Sequence, residues 1–99
     1  MKTLSTASQI SSIINSGRRI IIKFYAKWCG ACLSIKKEYQ GLSDKYKNVE
    51  FYEVDVDTIK KIGSVFNIEN IPDIRYYSGG KMKARILGTN LGSIEHHLK

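Results

Sequence analysis

The sequence predicts an α/β domain: a central mixed β-sheet with helices on both faces. Apolar runs rich in β-branched residues alternate with segments of helical apolar spacing, in the order β-α-β-α-β-β-α. The stretch between the two strongest strand runs suits a helical crossover, which makes those strands parallel. The last two strand runs are joined through Gly79-Gly80, which makes them an antiparallel hairpin. A chain of 99 residues reads as a single domain spanning residues 1–99.

Each element has its own signal. Lys2-Thr3-Leu4 supplies at most a short first strand. Ile10, Ile13 and Ile14 share one face of a helix expected over residues 7–16 and stopped by Gly17. Residues 18–26, with Ile20-Ile21-Ile22-Lys23-Phe24-Tyr25 at their centre, suit a buried strand. A helix is expected next, from Cys29 or Gly30 to Tyr46, with Gly41 as its one soft point. Residues 49–55 read as the second central strand. Residues 58–66 are expected as a helix with Ile59, Ile62 and Phe66 inward and Asp57 as N-cap. Residues 74–77 and 83–87 form the hairpin. Leu91, Ile94 and Leu98 mark one face of a closing helix, with Asn90 as its expected cap.

Composition excludes several classes of function. A hydrophobic content of 42% with 25% charge is ordinary for a water-soluble globular protein. No apolar run approaches the ~20 residues that span a bilayer, so no membrane role is expected. The start, Met1-Lys2-Thr3-Leu4-Ser5-Thr6-Ala7, has no hydrophobic signal core, and the expected location is the cytosol. The net charge of +7 comes largely from lysines dispersed among acidic residues, without an arginine-rich arm. Tyr76 and Tyr77 are consecutive on a strand and point to opposite faces, so at most one of them could join a stacking platform. Nucleic-acid binding is therefore not expected, and acidic partner proteins are the better use of the charge.

The chemistry lies in Trp28-Cys29-Gly30-Ala31-Cys32. Both cysteines sit where a strand gives way to a helix N-terminus, whose unpaired N–H groups and dipole favour thiolate over thiol. Their spacing puts both sulfurs on one helix face, close enough to close a disulfide. A structural zinc site needs four ligands, and only His96 and His97 remain; adjacent helical residues splay apart, so no metal is expected. A lone cysteine pair without an export signal reads as catalytic rather than structural. Cys29, preceding the helix, is expected to be the exposed, attacking thiolate, and Cys32, one turn in, the resolving one.

With these residues in view the chain resembles the thioredoxin family. The matching residues are Phe24-Tyr25-Ala26-Lys27-Trp28-Cys29-Gly30-Ala31-Cys32, Val54-Asp55-Val56-Asp57, Ile71-Pro72, Gly79-Gly80-Lys81 and Gly88, in the family's order and spacing. The resemblance implies the thioredoxin fold and a thiol–disulfide oxidoreductase. It further implies disulfide-containing target proteins, a thioredoxin-reductase-like electron donor, no bound cofactor and a monomer. It makes Pro72 a cis-proline opposite the cysteines, with the Ile71 backbone turned towards an extended target segment. Trp28, Ile71, Pro72 and Gly88 become the expected substrate contacts, and Gly30 and Ala31 support the pair.

Several positions depart from the family pattern. Ala31 stands where the common motif has proline, which frees an N–H expected to reach the thiolate. Lys37 replaces a proline that bends the catalytic helix, so a straighter helix is expected. Asp73 replaces a common threonine. The buried aspartate six residues before the first cysteine is here Lys23, and its lysine partner aligns with Glu53, so both charges have changed places; a Lys23 that merely reaches solvent is the alternative. Two other functions stay open: a binding subunit of the same fold whose redox activity is incidental, and a glutaredoxin-like reductase.

Overall fold

The computed structural model describes residues 1–99. Its sheet has the order β1-β3-β2-β4-β5, built from β1 (Lys2–Thr3), β2 (Ile20–Tyr25), β3 (Glu50–Asp55), β4 (Asp73–Ser78) and β5 (Lys81–Leu87). β1, β3 and β2 are parallel, while β2–β4 and β4–β5 are antiparallel. The first strand is short, as expected. A two-residue turn at Gly79-Gly80, both at positive φ, closes the hairpin, as a mirror-image turn requires.

Alternation along β2 divides the core. Ile20, Ile22 and Phe24 pack with Leu4, Ile10, Tyr52, Val54, Ile59 and Ile62 on one face. That layer holds α1 (Ala7–Asn15), which Thr6 and Gln9 start with a reciprocal capping box, and α4 (Ile62–Val65). Ile21 faces the other way, into a layer with Ile35, Tyr39, Leu42, Ile74, Ile94 and Leu98. Tyr76 and Tyr77 divide between these layers, and both are buried. Helices therefore cover both faces of the sheet.

Three elements differ from expectation. The catalytic helix is not continuous: α2 (Gly30–Ser34) and α3 (Lys36–Lys45) meet at Ile35, whose φ of −104° and ψ of 3° leave the helical region. Gly41 lies inside α3 and is not the soft point. The Ser34 hydroxyl donates to the Ala31 carbonyl at 2.7 Å, the acceptor that the Ile35 N–H would take in a continuous helix. The helix expected over residues 58–66 shrinks to a 3-10 turn at Val56–Thr58 followed by α4. Asp55 accepts the Asp57 N–H and the Thr58 hydroxyl donates to the Asp55 carbonyl, a local turn that competes with helix. Ile59 and Ile62 still point inward. Finally, α5 (Gly92–Leu98) has no side-chain cap; Asn90 contributes its carbonyl to Ser93 instead.

Candidate active site

Cys29 is the N-cap of α2, and its sulfur accepts the Cys32 N–H at 3.2 Å. One of the orphan amides of a helix start thus reaches the sulfur. The donor is Cys32, not Ala31 as the motif led one to expect. Both cysteines are free thiols and both are largely covered, at 6% exposure for Cys29 and 3% for Cys32. The expected contrast between an open and a closed sulfur is therefore slight. They pack with Ala26 against Tyr25, Val56 and Ile71.

The loop before β4 brings the remaining expected residues to the same place. The Ile71–Pro72 peptide is cis, and the Cys29 thiol donates to the Ile71 carbonyl at 3.8 Å. The Gly88 N–H donates to the Pro72 carbonyl at 3.1 Å, and its φ of +132° admits glycine alone without strain. Trp28 is 72% exposed beside the cysteines, and its indole N–H donates to the Asp57 carboxylate at 2.8 Å. Asp57, expected as a helix cap, instead fixes the tryptophan.

Behind the cysteines, Lys23 and Glu53 are direct partners across β2 and β3, 3.3 Å apart. The lysine side chain is 3% exposed and the glutamate 24%, so Lys23 does not reach solvent. The rings of Tyr25 and Tyr39 lie 5.2 and 4.9 Å from its ammonium. Sequence reasoning missed both tyrosines, although Tyr25 lies two residues along the same strand face. A cavity of about 270 Å³ opens between Lys23, Glu53, Tyr25 and Cys32. Burial pushes the Cys32 thiol up to about 11, and its contact with Cys29 adds to this; the Ala26 backbone and the Lys23 charge pull it down. Asp73 is fully buried but not unpaired: Arg75 and Arg85 both donate to it.

A helix-capping thiol, a second thiol one turn on and the Ile71 carbonyl beside them form a dithiol exchange site. Comparison with known proteins agrees. The thioredoxin family model matches residues 1–99. The chain belongs to the thioredoxin family. It is 30% identical to thioredoxin-2 of Saccharomyces cerevisiae over 93 residues, which span 93% of this chain and 89% of that protein. It is 33% identical to a thioredoxin of Coprinus comatus, over 96% and 92% of the two chains. Among solved structures, the Fasciola hepatica thioredoxin superposes with a TM-score of 0.89 at 30% identity, covering 99% of this chain and 96% of that one. The Plasmodium falciparum thioredoxin gives 0.88 at 28% identity, covering 99% and 96%. The fold is the thioredoxin fold, and the protein is a thiol–disulfide oxidoreductase. No helix is long and apolar enough to cross a membrane.

Proposed function

We propose that this thioredoxin reduces disulfides in target proteins with Cys29 as the nucleophile and Cys32 as the resolving thiol. The single observation behind the assignment is the Cys32 N–H donating to the Cys29 sulfur at 3.2 Å. That bond stabilises negative charge on Cys29 and leaves Cys32 one turn behind it. Attack by the Cys29 thiolate breaks the target's S–S bond and forms a mixed disulfide. Cys32 then attacks Cys29, the second target thiol leaves, and the cysteine pair is left oxidised. Trp28, Ile71, Pro72 and Gly88 form the target-binding surface, and Gly30, Ala31, Lys23 and Glu53 support the pair. The reading extends to a cytoplasmic monomer, one domain over residues 1–99, recharged by a thioredoxin reductase. Its targets carry acidic surface near the disulfide, in keeping with the net charge of +7.

The deciding experiment is turnover of a protein disulfide such as that of insulin, with and without a thioredoxin reductase. Catalytic reduction that depends on the reductase and is lost in Cys29→Ser supports the reading. Binding of a partner without turnover points to the incidental-redox subunit instead.

A further inference from the structure

Behind Cys32 lies a lysine to which the exchange chemistry above assigns no particular step. Side chains alternate along β2, which puts Lys23 on the same face as Ile21 and Tyr25, against α3. A cation so placed is costly to bury unless its neighbours compensate. Three neighbours do. The Glu53 carboxylate lies at 3.3 Å, directly across the parallel ladder. The Tyr25 ring flanks the ammonium at 5.2 Å and the Tyr39 ring at 4.9 Å. Each interacts favourably with a positive charge. The frame is stiff: Tyr39 is fully buried, and its hydroxyl donates to the Tyr52 carbonyl at 2.7 Å. The result is an ammonium group held in place, lining the same cavity as Cys32.

We propose that Lys23 is a positioning residue of the resolving step: its ammonium, framed by Glu53, Tyr25 and Tyr39, stabilises the Cys32 thiolate as it forms. This deepens the assignment of Cys32 as the resolving thiol and rests on it. In the mixed disulfide Cys32 loses its proton to solvent through the shared cavity, and its sulfur bonds to the Cys29 sulfur. The bond from Cys29 to the target breaks, its electron pair stays on the target sulfur, and that sulfur takes a proton from solvent. The target is reduced by two electrons and the cysteine pair is oxidised by two.

Proton loss is the difficult part, because Cys32 is buried and its thiol lies well above neutral pH. Cys29 faces it from the start of α2. Around the cavity stand Lys23 and Tyr25 from β2, Lys27 from the following loop, Lys36 from α3 and Glu53 from β3. Of the cations, Lys23 alone is buried. Lys27 and Lys36 are exposed and screened by water.

The test is release of a chromogenic aromatic thiol from its mixed disulfide with Cys29, followed in single turnover against pH. Lys23→Met is expected to move the midpoint of that profile up by about one pH unit and to slow release about tenfold at neutral pH. The initial attack, measured in a Cys32→Ala background, is expected to change by less than release does. Should Lys23→Met fail to fold, Lys23→Met with Glu53→Gln removes both charges together; the Glu53 carboxylate on the same cavity opposes the thiolate, so an upward shift of smaller size is expected. A folded variant whose midpoint stays at the wild-type pH, alongside normal formation of the mixed disulfide, overturns this proposal alone. A wild-type chain that forms no mixed disulfide at Cys29 overturns the exchange assignment and this proposal with it.

Discussion

Arg75 and Arg85 are direct partners across the β4–β5 ladder, two cations set opposite one another. Like charges in that register destabilise a sheet unless a counterion lies between them. Asp73 is that counterion. Its carboxylate accepts from Arg75 Nε and Nη2 at 3.2 and 3.0 Å, and from Arg85 Nε and Nη2 at 3.1 and 2.7 Å. Both guanidinium groups also reach back to the Asn67 carbonyl, and Arg75 to that of Phe66. The group therefore ties the first residue of β4, adjacent to Pro72, to the loop that precedes it. Asp73→Asn is expected to cost about 3–5 kcal/mol, because it leaves buried guanidinium charge without its carboxylate. Denaturant titration measures it, and a loss under about 1 kcal/mol, the range of a surface pair, would show that the guanidinium groups find other partners.

The cysteines differ in what their loss should do. Cys29→Ser removes the nucleophile and is expected to abolish disulfide reduction. Cys32→Ser keeps the attack but loses the resolving step, so mixed disulfides with targets should accumulate and be visible by mass spectrometry. Faster alkylation of Cys32 than of Cys29 at neutral pH would reverse the assignment.

How much of this was legible beforehand depends on the range of the interaction. The Ile20-Ile21-Ile22 run, the spacing of Ile10, Ile13 and Ile14, and the Gly79-Gly80 turn are local signals, and each became the element it suggested. The break at Ile35 was not legible, because it depends on a serine hydroxyl taking one carbonyl and an isoleucine turning into the core. Asp57 looked like a helix cap, but its partner, Trp28, lies 29 residues away. Asp73 was visible as an added charge, whereas the arginines that neutralise it meet only once the hairpin closes. Lys23 opposite Glu53 was foreseen through resemblance to a family; hydropathy alone marks Lys23 as an anomaly in a strand.

Ala31 offers a sharp check on the hydrogen bonding at the sulfur. Since the Cys32 N–H and not the Ala31 N–H donates to Cys29, proline at position 31 leaves that bond in place. The first turn of a helix also tolerates proline. Ala31→Pro is therefore expected to shift the redox potential by less than about 30 mV, equivalent to ~1.4 kcal/mol for a two-electron couple. A larger shift towards reducing potentials, measured against glutathione, would mean that the Ala31 N–H does reach the thiolate in solution.

Alkaline pH should weaken the reduced protein through Cys32. Its thiol is raised from 9.0 to about 11, chiefly by burial, so the native state holds a proton that the unfolded chain releases. That stability is fully present below pH 9 and is lost as the pH climbs through 11. Tyr39, raised by burial, acts in the same direction and is common to both proteins being compared. Melting temperatures of the reduced wild type should therefore fall more steeply over this range than those of Cys32→Ser. Parallel curves would place the Cys32 thiol near its ordinary value.

The last prediction concerns whether Lys23 and Glu53 stabilise the fold as a unit. Each single change leaves a charge facing its own kind: Lys23→Asp sets two carboxylates across the ladder where the ion pair now lies, and Glu53→Lys sets two ammonium groups there. Both should be strongly destabilising, since Lys23 is buried and cannot turn its head group to water. The exchange of both restores opposite charges, and the double variant is expected to exceed the stability predicted from the two singles by about 1–3 kcal/mol. It should not return to the wild-type level. The rings of Tyr25 and Tyr39 present their negative faces to position 23, an arrangement that suits an ammonium and not a carboxylate. Adding Tyr25→Leu to the exchanged pair should therefore cost less stability than the same change costs the wild type. Thermal melts of the three charge variants, with and without Tyr25→Leu, measure both couplings. Additivity of Lys23→Asp and Glu53→Lys would show that the two side chains do not act together, and an equal cost of Tyr25→Leu in both backgrounds would remove the ring from the account.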